Sequence, residues 1–283
     1  MLLNISTLFA TRLFLEQYIE AKNLGLGGTA IFSADGIESI FCNPAVVNLV
    51  EHSQIILSYA FMNADITYFL GGIKFNKLKI SGNTPAFYIR GMYSDKFGYV
   101  TSGYTSEKYF SVYEYQAGVN YSIVKLKKVL FGVNLNFGRE NYYAYENNYF
   151  SIDSGVIVSV SKDFQLAWVG KNIEMYSENS SLTAVHNAGI SYSFNMKNNN
   201  FKIYPVLKIT RLYIEKVLGA EYDYKDLLQL YCSVSFNPYS VSNFTDYISG
   251  GLSLKYKIIK INYAVKPSEA LGSMHSFTLI YTF

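Results

Sequence analysis

Ser276-Phe277-Thr278-Leu279-Ile280-Tyr281-Thr282-Phe283 carries an apolar residue at every second position counted back from Phe283, with mostly Thr or Ser between them. A period of two sends Phe277, Leu279, Tyr281 and Phe283 to one face of a strand and the hydroxyl residues to the other. A strand that ends the chain on an aromatic residue suits a closed barrel, where the last strand pairs with the first and no edge is left open. The apolar face then meets lipid and the Thr/Ser face meets the lumen. Phe277, Leu279, Tyr281 and Phe283 are accordingly expected to serve as the signal read by the barrel assembly machinery.

The same alternation recurs upstream. Val129, Phe131, Val133, Leu135 and Phe137 oppose Gly132, Asn134 and Asn136, and Leu228, Leu230, Cys232, Val234 and Phe236 oppose Gln229, Tyr231, Ser233 and Ser235. Ile259, Ile261, Tyr263 and Val265 likewise oppose Lys260, Asn262 and Lys266. About fourteen such segments fill residues 53–283, an even number as bacterial barrels require. Tight turns are expected at 161–164, 224–227 and 256–259, and longer loops at 94–110, 139–152, 172–186 and 237–245. Two connections break the short–long alternation: 62–65 is short where a loop belongs, and 76–86 is long where a turn belongs. The fold class read from the pattern is all-β, a transmembrane antiparallel β-barrel.

Composition agrees. Mean hydropathy is only +0.10, yet 17% of the 283 residues are aromatic, with 27 Tyr and 20 Phe. No run approaches the roughly 18 apolar residues of a membrane helix. A barrel wall dilutes lipid-facing apolar residues with polar lumen residues, and many Tyr suit aromatic girdles at the two interfaces. A net charge of +3 with interspersed signs gives no basic stripe for nucleic acid. Cys42 and Cys232 form no disulfide framework. Residues 1–23 read as a possible signal peptide or its remnant, although Arg12 interrupts the apolar patch.

Residues 24–52 have another texture, with Gly25-Leu26-Gly27-Gly28-Thr29-Ala30, then Asp35-Gly36, then Phe41-Cys42-Asn43-Pro44-Ala45. Small residues and turn formers without periodicity argue for a compact, irregular segment. The lumen is its natural place, as a hatch that fills the bore. Gly25, Gly27 and Gly28 lack the Lys-Ser/Thr of a phosphate-binding loop. Pro44 fixes its own φ and restricts Asn43, so Asn43, Pro44 and Ala45 suit either a structural lock against the wall or a moving gate. Asp35 is a turn cap or the partner of a lumen cation such as Arg90. Asn134, Asn136, Glu221 and Gln229 are lumen-lining candidates. Lys255, Lys260 and Lys266 make a basic strip that is either internally paired or suited to an extended peptide or an anionic solute.

The order of these segments resembles the N-terminal signature of the PorV/PorQ group of outer-membrane proteins, within the wider FadL-like superfamily. Further matching stretches are Asp65-Ile66-Thr67-Tyr68, Phe131-Gly132-Val133-Asn134-Leu135, Gly219-Ala220-Glu221-Tyr222-Asp223-Tyr224 and Leu271-Gly272-Ser273-Met274-His275. Cys42, Gly36 and Ser276 depart from the group's usual residues. The resemblance covers roughly 24–283 and implies a fourteen-stranded barrel with an N-terminal hatch in the outer membrane of a diderm bacterium. It implies a non-enzymatic scaffold that binds secretion-system components or secreted cargo. The wider superfamily implies instead passive transport of small hydrophobic molecules. Neither reading calls for a cofactor. Hydrolysis would need Ser beside His on one face, but His275-Ser276 and His52-Ser53 are sequence neighbours, and three scattered His make no metal site.

Overall fold

The computed structural model describes residues 17–33, 36–62, 65–80, 83–101, 104–126, 128–142, 145–179, 182–197, 199–211, 213–236, 247–268 and 272–283. Side chains are not described at 48, 95–101, 104–110 and 123–125. Fourteen antiparallel strands close into one barrel in sequence order, with β14 returning to β1. They are β1 (Gln54–Met62), β2 (Ile66–Lys74), β3 (Ala86–Thr101), β4 (Tyr104–Leu126), β5 (Val129–Tyr142), β6 (Tyr145–Ser159) and β7 (Phe164–Ser177). The second half holds β8 (Val185–Met196), β9 (Asn199–Ile209), β10 (Ile214–Tyr224), β11 (Leu228–Phe236), β12 (Ile248–Tyr256), β13 (Ile259–Lys266) and β14 (Met274–Thr282).

The closing seam runs from Gln54↔Thr282 to Met62↔Met274, and the Phe283 amide donates to the Ser53 carbonyl at 2.9 Å. Every wall strand thus finds backbone partners on both sides, the condition for crossing a bilayer with strands. Side chains sort as alternation demands. Leu57, Tyr59, Leu135, Phe137, Leu230, Leu254, Ile261, Phe277, Leu279 and Tyr281 are exposed on the outside, whereas Ser58, Asn134, Asn136, Ser233, Asn262, Ser276 and Thr278 are buried within. An apolar exterior around a polar-lined ring is stable only against hydrocarbon, so the wall spans a membrane. No helix among the described residues is long and apolar enough to do so.

Wall height is uneven. β1, β2, β11, β12 and β14 have 9 residues each and β13 has 8, close to the roughly 9–11 that a tilted strand needs to cross. β3 has 16 and β4 has 23, and β5, β6 and β7 have 14, 15 and 14. The long loops expected at 94–110 and 139–152 are therefore largely strand. Backbone pairing continues past the bilayer there, with register shifts between Ser94/Phe97 and Gly98/Val100. At the other end the β4–β5, β6–β7, β8–β9, β10–β11 and β12–β13 turns are tight, as expected, while the β2–β3 connection at 75–85 is long, as its sequence indicated. Lys225, Asp226 and Lys257 take left-handed φ of 54°, 56° and 52° in the β10–β11 and β12–β13 turns. This short-turn end is the periplasmic one.

Inside the ring lie the described residues that precede β1, 17–33 and 36–50. They form helix α1 (Ala21–Gly25), a 3-10 turn (Ala30–Phe32), helix α2 (Ser39–Cys42) and a second 3-10 turn (Pro44–Leu49). Leu24, Leu26, Ile31, Ile37, Ile40, Phe41, Val46 and Val47 make a buried apolar cluster with the inward Ile56, Tyr88, Tyr149, Tyr204 and Tyr231 of the wall.

Candidate functional site

The inner segment is too irregular to satisfy its own backbone, and the wall supplies the missing partners. Along α1, the Ala21 amide donates to Thr278 Oγ1 at 2.9 Å, Ser249 Oγ donates to the Gly25 carbonyl at 3.1 Å, and Ser276 Oγ donates to the Ile19 carbonyl. Lys22 lies 3.1 Å from Glu221 on β10, with both side chains buried. Tyr204 donates a 3.1 Å hydrogen bond to the same carboxylate, and Lys202 stands 3.7 Å away. Helix α1 stops because Gly27 and Gly28 adopt φ of 59° and 89°, a conformation that glycine takes without strain. The Gly28 amide closes back on the Asn23 carbonyl at 2.9 Å.

The second half is held in the same way. The Ile37 amide donates to Gln54 Oε1 at 2.8 Å, Lys260 Nζ reaches Glu38 Oε1 at 3.0 Å, and Asn134 Nδ2 donates to the Ile40 carbonyl at 2.9 Å. Lys171 Nζ donates to the Phe41 carbonyl. Asn43 caps the second 3-10 turn by accepting the Ala45 amide at 3.0 Å, and its Nδ2 donates to the Ile31 carbonyl at 2.9 Å. The Pro44 carbonyl accepts from Asn120 Nδ2 at 3.2 Å and Ser122 Oγ at 3.0 Å. Lys74 Nζ closes the far end on the carbonyls of Val47 and Val50. Glycines on the wall make the approach possible. A Cβ at Gly132 would strike the Pro44 carbonyl, one at Gly155 the Asn43 side chain, and one at Gly219 the Thr29 hydroxyl. Within the segment, Glu20 accepts from Asn23 Nδ2 at 2.8 Å and from Cys42 Sγ at 3.5 Å. Burial pushes the Glu20 carboxyl above its ordinary range, and Lys171 acts in the opposite sense.

The candidates named from sequence are distributed unevenly. Gly25 packs against the Tyr231 ring, and Asn43, Pro44, Asn134, Glu221 and Lys260 sit at contacts between segment and wall. Ala45 is buried beside them. Asn136 instead accepts from the Tyr88 hydroxyl and donates to Ser151. Arg90 Nε donates to Gln116 Oε1 at 2.8 Å, and Gln229 Nε2 donates to Asp223 at 2.9 Å. Asp35 lies outside the described residues. The basic strip does not form: Lys255 and Lys260 are register partners, but Lys266 stands at the far end of β13 opposite Met274. Lys22, Glu38, Lys74, Lys171, Asn120 and Ser122 were not singled out from sequence. Inward-parity glycines in strands, at Gly132, Gly155 and Gly219, were the available signal, because such a glycine marks a close backbone approach.

At the short-turn end a cavity of about 610 Å³ opens between the segment's exit at Leu49 and Val50 and strands β10–β14. His275 stacks on Phe61 at 5.3 Å while Ser276 is buried on the opposite face, and the described residues hold no cluster of three or more His, Cys, Asp or Glu side chains that could bind a metal.

A closed ring, an apolar outside, polar inward side chains and a folded segment within it are together on the page. The fold is that of an outer-membrane barrel. Its place is the outer membrane of a Gram-negative-type bacterium, where closed antiparallel barrels of even strand number reside. Among solved structures, the barrel is similar to a deltaS2S3 mutant of the TodX monoaromatic hydrocarbon channel, with a TM-score of 0.57, 11% identity, and coverage of 93% of this chain and 98% of that one. A deltaS2 mutant of the same channel gives a TM-score of 0.50 at 10% identity, covering 87% and 94%. The outer-membrane protein Omp33 of Acinetobacter baumannii gives 0.49 at 9%, covering 82% and 98%. No protein-family model matches the sequence. No curated protein matches it either.

Proposed function

We propose that the barrel is a gated passive transporter of small hydrophobic molecules, with residues 17–50 as its hatch. The observation that carries this reading is the division of labour inside the ring. The wall is closed by its own ladder, whereas the hatch adds an apolar cluster held at its margins by a few polar seats, among them Lys22–Glu221 and Glu38–Lys260. A water-filled porin has a polar bore; here, shifting the hatch exposes aliphatic and aromatic surface to whatever enters. The likeness in fold to a barrel described as a monoaromatic hydrocarbon channel accords with this reading.

The test is to tie the hatch to the wall. Ala21→Cys with Thr278→Cys, in a background of Cys42→Ser and Cys232→Ser, places a disulfide where the Ala21 amide meets Thr278. Oxidised protein should lose uptake of a hydrophobic fluorophore into intact cells, and reductant should restore it. Equal uptake before and after reduction would defeat the reading.

A second reading is a secretion-associated scaffold, favoured by the PorV/PorQ-like order of motifs and by the raised wall. β3 and β4 exceed what a bilayer requires and offer sheet surface to a partner outside the cell. Under it, the same cross-link changes recovery of secreted cargo with the barrel and leaves fluorophore uptake unaltered.

A further inference from the structure

The inward side chains of β12 and β13 at the periplasmic mouth form a small square. Lys255 and Lys260 are direct cross-strand partners, and one step deeper Ser253 pairs with Asn262. Two ammonium groups opposite each other are unfavourable unless an anion lies between or beside them. Lys260 has one: Glu38 Oε1 at 3.0 Å. Lys255 makes no ion pair among the described residues. Asn262 is fully buried, yet neither its amide nitrogen nor its oxygen has a hydrogen-bond partner, and Glu38 Oε2 is unpartnered as well. Buried polar atoms without partners are costly and call for a polar occupant; Asn262 and Glu38 do not themselves line the neighbouring cavity, but Lys260, which Glu38 pairs with, does. Ser253, Lys255 and Lys260 all line the 610 Å³ cavity that opens to the periplasm. Glu51, Asp223 and Asp226 line it too, but Asp223 is engaged by Gln229 Nε2 at 2.9 Å and the Asp226 amide at 3.0 Å.

We propose that Lys255, Lys260 and Asn262 form an oxyanion site for a phosphate or carboxylate group, with Glu38 as its built-in ligand. An oxyanion entering from the periplasm bridges Lys255 and Lys260, takes donation from Asn262 Nδ2, and displaces Glu38. The hatch loses one of the two ion-paired seats seen among the described residues, so the solute acts as a release signal for residues 36–42. The consequence rests on the hatch reading above, but the two stand or fall by different measurements. The cross-link from Ala21 tests whether the hatch controls passage; anion-dependent release tests this site.

Full-length protein in phosphatidylcholine nanodiscs is titrated with inorganic phosphate, against chloride at matched ionic strength, while deuterium uptake is followed across residues 36–42. A parallel sample replaces free phosphate with phosphatidylglycerol in the disc. Saturable uptake with phosphate assigns the site to a soluble oxyanion, and uptake with phosphatidylglycerol assigns it to a lipid head group. Lys255→Gln should raise the half-saturating concentration by about two- to fivefold, the size expected for one exposed charge-assisted contact. Glu38→Gln removes the internal competitor, so calorimetric affinity for phosphate should rise rather than fall. Phosphate and phosphatidylglycerol no better than chloride, an unshifted half-saturation in Lys255→Gln, or weaker binding in Glu38→Gln each overturns the proposal.

Discussion

Glu221→Gln is the sharpest perturbation of the hatch. The Lys22 ammonium lies 3.1 Å from Glu221, with 1% and 0% side-chain exposure. Removing one charge from such a buried pair costs about 3–5 kcal/mol. Lys202 is partly exposed and can turn to solvent, but Lys22 has no such route while α1 stays seated. The penalty therefore falls on the seated state of the hatch, because the β9–β10–β11 ladder needs no side chain to hold. At the low end, about 3 kcal/mol, the ratio of released to seated hatch rises roughly 100-fold. Amide exchange at residues 21–33 should accelerate by that order in detergent or nanodiscs. The wall amides of β9–β11 should keep their protection, and heat-modifiable migration on gels should persist. Adding Lys22→Gln removes the opposing buried charge as well, so exchange should fall back towards the native rate. Unchanged exchange in Glu221→Gln, or no recovery in the double variant, would show that the buried pair does not hold the hatch.

Gly132→Val drives a side chain into the Pro44 carbonyl; faster exchange at residues 44–50 with an intact heat-modifiable barrel is expected, and an unaltered hatch would contradict the close approach. Asn43→Ala deletes a cap and the bond to Ile31, costing about 1–2 kcal/mol, which chemical denaturation should register as earlier hatch release without a matching loss of wall stability. Cys42 is buried, so in a Cys232→Ser background a maleimide should label Cys42 only in released variants such as Glu221→Gln. Processing that removed Lys22 would also remove the partner of Glu221, so the intact mass of the mature protein should include Lys22.

The wall was legible because lipid imposes one rule on every crossing residue, and each of the fourteen alternating segments became a strand. That rule stops at the bilayer surface. Around residues 94–110 and 139–152 alternation blurs in the sequence, and the outer ends of strands β3–β6 read as loops although their backbone pairing continues. Residues 24–52 differ in texture from the wall, through Gly25, Gly27, Gly28 and Asn43-Pro44, but that texture carries no trace of their attachments. Lys22–Glu221 and Glu38–Lys260 join residues about two hundred positions apart, and no local pattern links such partners. Lys22 fell within the 1–23 span that reads as a possible leader, where a lone Lys gives no hint of a buried carboxylate. Lys266 was grouped with Lys255 and Lys260 on parity alone, which fixes the face of a strand but not the height along it.

The bonds from the Ala21 amide to Thr278 and from Ser276 to the Ile19 carbonyl each span 257 residues. A ribosome makes one partner long before the other. Throughout that interval the greasy side of Leu24, Leu26, Ile37 and Ile40 has nowhere native to go, and the seam between β1 and β14 cannot shut. Once that seam does shut, the hatch enters only through a mouth of the ring. Successful assembly is therefore a matter of timing, in which the oldest stretch of the polypeptide has to be shielded until the youngest strand arrives. Substitutions that merely hasten closure of β14 on β1 would trap the hatch outside, in a barrel sound by every test of its wall.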